Sequence, residues 1–85
     1  MLREVYEEQF VRGVIHTIKS HPNWKDRVRN GDTRLLKDLQ HEMVDPMPYA
    51  RRSDNLYARK RKKQIAGFFR HIQKNLENGK PPFTL

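Results

Sequence analysis

Apolar residues recur three or four positions apart in three segments of this 85-residue chain, and in none of the segments do they alternate. This spacing places apolar side chains along one face of an α-helix, whereas a half-buried strand needs a period of two. The sequence therefore predicts an all-α fold, a small single-domain bundle of three main helices over about 2–20, 33–44 and 53–78. A short further helix over 22–29 is compatible with the pattern.

Proline, glycine and capping residues predict the junctions between the first three segments. Pro22 ends the first helix and can occupy the first position of the next one, where proline is favoured. Asn30-Gly31 is typical of a turn, and Asp32 or Thr33 can then cap the helix that follows.

The second half of the chain is divided in the same way. Two prolines make 45–52 an extended linker, and Gly79 fits the C-terminal cap of the last helix. We expect one helical domain over 1–80 and an extended tail over 81–85. Phe83 and Leu85 in this tail either bind a partner or fold back over the core, and we favour the fold-back.

Each predicted helix has an apolar face that can enter one shared core. Val28 and Trp24 lie four residues apart, so we expect Trp24 to pack in the core as well. The face of the first helix is Tyr6, Phe10, Val11, Val14, Ile15 and Ile18, and that of the third is Leu35, Leu36, Leu39, Met43 and Val44. The face of the last helix is Ala58, Ile65, Phe68, Phe69, Ile72 and Leu76.

The net charge of +8 lies entirely in residues 51–85. Residues 1–50 carry eight basic and eight acidic side chains, whereas residues 51–85 carry ten basic side chains against Asp54 and Glu77. Folding does not require this asymmetry, because like charges oppose compaction. A strongly basic segment indicates a surface for phosphates or for another acidic partner.

The last predicted helix places its basic residues opposite its apolar face. At 100° per residue, a basic stripe runs about 22 Å along the helix, and Gly67 in its middle would let a phosphate approach closely. The sequence therefore predicts a small basic nucleic-acid-binding protein, DNA or RNA, with a regulatory or architectural role. The candidate contact residues are Arg51 and Arg52 on the linker and Arg59, Lys60, Lys62, Lys63, Arg70 and Lys74 on the helix. Arg61 and Lys62 flank the apolar face, where their stems can pack.

Two other modes of nucleic-acid binding stay open. Residues 22–29, the turn at 30–32 and the helix over 33–44 have the approximate spacing of a helix-turn-helix. Against it, that region is close to neutral, with five basic and four acidic side chains over 22–44, and Asp38 and Glu42 would face phosphates. The side chains presented to bases would be Thr33, Arg34, Lys37, Gln40 and His41. Alternatively, Trp24, Tyr49 and Tyr57 could stack on unpaired bases.

The main alternative function is a small adaptor or inhibitor that docks on an acidic protein surface. Size and charge suit this function equally well. Nucleic-acid binding would show a steep dependence on salt, whereas an adaptor would also depend on apolar anchors.

Catalysis and a membrane location are not expected. The chain has no cysteine, no Gly-rich phosphate loop and no nucleophile motif, so we predict no enzyme, no cofactor and no metal site. Of the four histidines, His16 with Glu8 and His41 with Asp38 could be drawn as acid–base pairs, on residue type alone. No signal peptide or membrane span is apparent, so we expect a cytoplasmic protein. The run Arg59–Lys63 after a basic pair would also suit nuclear import in a eukaryote.

Overall fold

Four helices make up most of the computed structural model, which describes residues 8–44 and 56–84, with side chains from Ala58 onward in the second range. Those residues contain no strand, and the predicted all-α fold is confirmed. The helices are α1 (Glu8–Lys19), α2 (Trp24–Arg29), α3 (Thr33–Val44) and α4 (Leu56–Glu77). The predicted starts of the first and last helices at 2 and 53, and the predicted linker over 45–52, lie outside the described residues.

The start of α2 differs from the prediction. Pro22 is not the first residue of this helix, because Asn23 follows in the left-handed region (φ 58°, ψ 29°) and precedes Trp24 as the N-cap. Asparagine tolerates this conformation better than most residues. The chain therefore turns sharply at Asn23, and α2 begins at Trp24, two residues after the predicted start at Pro22.

The turn between α2 and α3 closes one helix and opens the next. Gly31 adopts φ 67°, and the N–H groups of Gly31 and Asp32 donate to the carbonyls of Val28 (3.0 Å) and Arg27 (2.9 Å). This pair of bonds is a Schellman motif, which favours glycine in the left-handed position. The predicted turn at Asn30-Gly31 is confirmed.

Asp32 is the N-cap of α3, which decides between the two predicted caps, Asp32 and Thr33. Its Oδ1 accepts from the backbone N–H of Arg34 (2.9 Å) and Leu35 (3.3 Å), and its Oδ2 accepts from Arg27 Nε (2.9 Å). The Arg27 hydrogen bond, followed by those from the α3 backbone, lowers the pKa of the Asp32 carboxyl below its ordinary value of 3.8.

The core lies where the predicted apolar faces meet. Phe68 is the largest fully buried side chain, and Leu76 and Trp24 are half-buried at the edge of the core. The buried apolar residues are Val14 and Ile18 of α1, Val28 of α2, Leu35, Leu39 and Val44 of α3, and Ala58, Ile65, Phe68, Phe69 and Ile72 of α4. The predicted faces are therefore confirmed for the described residues, and Tyr6 lies outside them.

One hydrogen bond joins α3 to α4, and a second joins α4 to the end of α2. Gln40 Nε2 of α3 donates to the Lys62 carbonyl of α4 at 2.9 Å. Gln73 Nε2 of α4 donates to the Arg29 carbonyl, at the end of α2, at 3.3 Å. As the chain advances from Arg29 to Gln40, the bonded residue of α4 changes from Gln73 to Lys62, which lies earlier in the sequence. The helices α3 and α4 therefore run antiparallel, side by side along one edge of α4.

The C-terminal tail folds back over the helices. Asn75, a buried polar residue of α4, donates from Nδ2 to the carbonyls of Pro82 and Thr84, both at 3.0 Å. Phe83 then stacks on Trp24, with ring centroids 5.3 Å apart. The fold-back expected for Phe83 is confirmed, and Leu85 lies outside the described residues.

Candidate nucleic-acid interface

The basic stripe predicted on the last helix lies on the outer surface of α4. Arg59, Lys60, Lys63, Arg70 and Lys74 are all exposed, whereas the opposite face of the helix is buried in the core. From Arg59 to Lys74 the stripe is about 22 Å long at 1.5 Å per residue. Removing these charges would therefore take away little packing.

These five side chains have no hydrogen bond or ion pair with any other described residue, which distinguishes them from several basic residues elsewhere in the fold. Arg12 pairs with Glu8, Arg27 with Asp32 and Arg29 with Asp26, so the arginines of α1 and α2 are neutralised locally. The acidic residue of α4, Glu77, is exposed at the helix end. The stripe thus presents its cations to solvent, and none of the acidic residues that the structure describes pairs with them.

Arg61 and Lys62, predicted to flank the apolar face of α4, differ in their burial and contacts. Arg61 is half-buried, with its guanidinium 4.5 Å from the centre of the Phe10 ring of α1 and a hydrogen bond from Nη1 to Gln64 Oε1 (3.2 Å). Its stem packs as predicted, and its charge joins α4 to α1. Lys62 is exposed, and its backbone carbonyl accepts the bond from Gln40.

Gly67 interrupts the stripe between Lys63 and Arg70. The residue is half-buried in the middle of α4, where glycine costs about 1 kcal/mol relative to alanine. A side chain is therefore missing at the centre of the stripe, and the close approach of a phosphate at this position stays a prediction. Arg51 and Arg52, predicted to extend the contact as an arm, lie outside the described residues.

The side chains that a helix-turn-helix would present to bases divide into two groups. Thr33, Arg34, Lys37 and His41 are exposed on α3. Gln40 is half-buried, and its amide is bonded to α4, so it is not available to read a base edge.

The aromatic residues proposed for base stacking are only partly described. The rings of Trp24 and Phe83 stack on each other, and Lys25 and Lys19 place their ammonium groups 5.6 Å and 5.4 Å from the two ring centres. Trp24 is therefore committed to packing, as expected. Tyr49 and the side chain of Tyr57 lie outside the described residues.

Sequence reasoning missed two polar contacts that shape the surface. The first is the contact of Asn75 with the tail. It could have been predicted from the sequence, because Asn75 is a polar residue beside the apolar face of α4, shortly before a Pro-Pro segment. His21 Nε2 lies 3.1 Å from Glu42 Oε2, which joins the α1–α2 turn to α3. The spacing of the sequence offered no signal for this second contact, because its two residues lie on different elements.

Within residues 8–44 and 56–84, no group of three His, Asp or Glu side chains could hold a metal ion. None of the helices described there is both long enough and apolar enough to cross a membrane.

Comparisons with protein-family models, with curated proteins and with solved structures found no significant match.

Proposed function

We propose that this protein binds nucleic acid through the outer face of α4, in a regulatory or architectural role. The observation that supports this function is the row of five exposed cations, Arg59, Lys60, Lys63, Arg70 and Lys74, which no described acidic residue neutralises. On α1 and α2, by contrast, the arginine side chains pair with carboxylates.

The size of the row suits a phosphate backbone. Duplex DNA carries about one negative charge per 1.7 Å of helix axis, so a face about 22 Å long can meet several phosphates. Each lysine or arginine that contacts a phosphate releases a condensed counterion, which drives binding and makes it depend on salt. This term is independent of sequence, so we expect α4 to bind many sequences with similar affinity.

The test is a fluorescence-anisotropy titration of labelled duplex DNA, duplex RNA, single-stranded DNA and heparin over a range of salt concentrations. We expect binding that weakens steeply between about 50 and 200 mM salt. Replacing Arg59, Lys60 and Lys63 with Gln should weaken binding to every nucleic acid. On duplex DNA, the slope of log K against log salt should become shallower by about 0.9 for each phosphate that the variant no longer neutralises.

The matched control replaces three exposed lysines outside α4, Lys19, Lys25 and Lys80, with Gln, which removes the same charge from residues that no described carboxylate pairs with. Circular dichroism should show that both triple variants keep the fold. If the two variants weaken binding equally, overall charge and not the face of α4 is responsible. No binding of wild-type protein to any nucleic acid near 50 mM salt would overturn the proposal and favour the adaptor that docks on an acidic protein.

A further inference from the structure

The charged side chains of α3 are sorted around the helix, although their sum is close to neutral. Gln40 marks the side that faces α4, because its amide is bonded to the Lys62 carbonyl. At 100° per residue, Lys37 lies about 60° from Gln40, whereas Asp38 and Glu42 lie about 160° from it in opposite directions. Lys37 is therefore nearest to α4, Arg34 lies about 120° from Gln40, and the acidic residues lie farthest from it.

The contacts of Glu42 agree with this order. The carboxylate of Glu42 lies 3.1 Å from His21 Nε2, at the α1–α2 turn. This contact holds Glu42 on the side of α3 away from the Gln40–Lys62 hydrogen bond. The objection that acidic residues of α3 would face phosphates therefore does not apply to a ligand that lies along α4.

The antiparallel register places Lys37 beside the centre of the basic stripe. Gly31 and Gln40, in the turn before α3 and in α3 itself, lie opposite Gln73 and Lys62 of α4. Lys37, three residues before Gln40, then lies level with Ala66. On the outer surface of α4, Lys63 and Arg70 flank Ala66, three residues before it and four after it, so the register brings Lys37 to the level of the basic stripe.

We infer that α3 and α4 together form a two-helix surface for duplex nucleic acid, in which Lys37 contacts phosphates alongside Lys63 and Arg70. Arg34, exposed one turn before Lys37, extends the row on α3. This inference rests on the proposed function. It differs from a helix-turn-helix because no helix enters a groove and Gln40 stays bonded to α4.

A duplex suits this surface better than a single strand. Packed helices lie about 8–10 Å apart, so their outer cations form two rows. A duplex offers two phosphate rows across a minor groove about 6 Å wide, whereas a single strand offers one. Single-strand binders also need open aromatic faces, and the described rings nearest the tail, Trp24 and Phe83, are stacked on each other.

The experiment compares Lys37→Gln with Lys25→Gln, which removes from α2 an exposed positive charge that no described carboxylate pairs with. Both are titrated against a duplex and a single strand of equal length, together with the α4 variant Lys63→Gln/Arg70→Gln. We expect Lys37→Gln to make the salt slope for duplex DNA shallower by about 0.9, with no such change for Lys25→Gln. The α4 variant should lower the slope by about twice as much.

The possible failures can be told apart. If the α4 variant lowers the slope but Lys37→Gln behaves like Lys25→Gln, the proposed function stands and the two-helix surface is wrong. If the single strand binds more tightly than the duplex at the same salt concentration, the duplex assignment is wrong. If wild-type protein binds neither, the proposed function and this inference both fail.

Discussion

Two glycines with the same backbone conformation offer a direct test of how α4 packs against the α2–α3 turn. Gly31 (φ 67°) and Gly79 (φ 70°) each close a helix with the same pair of backbone hydrogen bonds. They differ in their surroundings. A Cβ at Gly31 would lie 3.1 Å from Gln73 Nε2, whereas a Cβ at Gly79 would meet nothing within 4 Å.

The expected free energies follow from this difference. Gly79→Ala should destabilise the fold by about 1–2 kcal/mol, the cost of a left-handed L-residue. Gly31→Ala has the same backbone cost, and its Cβ would press on the Gln73 amide, which must shift by a few tenths of an ångström while it is bonded to the Arg29 carbonyl at 3.3 Å. Complete loss of a hydrogen bond of this kind adds about 0.5–1.5 kcal/mol. We therefore expect an extra destabilisation of up to about 1 kcal/mol, which would lower the melting temperature by up to about 4–8 °C more for a domain of this size.

Thermal and urea unfolding followed by circular dichroism would measure both variants. The control repeats Gly31→Ala in a Gln73→Ala background, where the side chain in the way is absent. There Gly31→Ala should cost no more than Gly79→Ala. Equal costs of the two glycine substitutions in the wild-type background would refute a stabilising hydrogen bond from Gln73 to the α2–α3 turn.

Three further predictions concern the core, the tail and the cap of α3. Phe69→Ala should destabilise by about 3–5 kcal/mol in thermal unfolding, and Lys63→Ala by less than about 0.5 kcal/mol; similar effects would mean that the faces of α4 are assigned wrongly. Phe83→Ala should expose Trp24, the sole tryptophan, and shift its fluorescence to longer wavelength, and an unchanged spectrum would contradict the stacking. Because the pKa of Asp32 is lowered in the fold, its ionised form stabilises the protein above its unfolded pKa, and this contribution disappears as pH falls through the folded pKa. Wild-type protein should therefore lose stability on acidification below about pH 4 more steeply than Asp32→Asn, and parallel curves would exclude this role.

Local signals predicted most of the fold. The four-residue spacing of apolar side chains on α4 placed Ile65 and Phe68 in the core, because helical periodicity alone decides which face is apolar. Gly31 and Gly79 marked helix ends, because a left-handed residue is needed there. The start of α2 was misplaced, because Pro22 satisfies a helix start locally while Asn23 adopts a turn conformation.

The candidate surface could be predicted only in part. The exposed stripe of α4 followed from charge and periodicity, which act within one helix. The alignment of α3 with α4 depends on the Gln40–Lys62 bond, between residues 22 positions apart. The tail depends on Asn75, whose partners Pro82 and Thr84 follow the end of the helix. Contacts between separate segments have no signature in the spacing of either segment.

The most direct test of the binding surface is a nuclear magnetic resonance titration of the labelled protein with a short DNA duplex at low salt. We expect the largest amide shift changes along the outer face of α4, at Arg59, Lys63, Arg70 and Lys74, and little change in α1. Changes concentrated in α1 or around Trp24, with α4 unaffected, would contradict binding through the basic face.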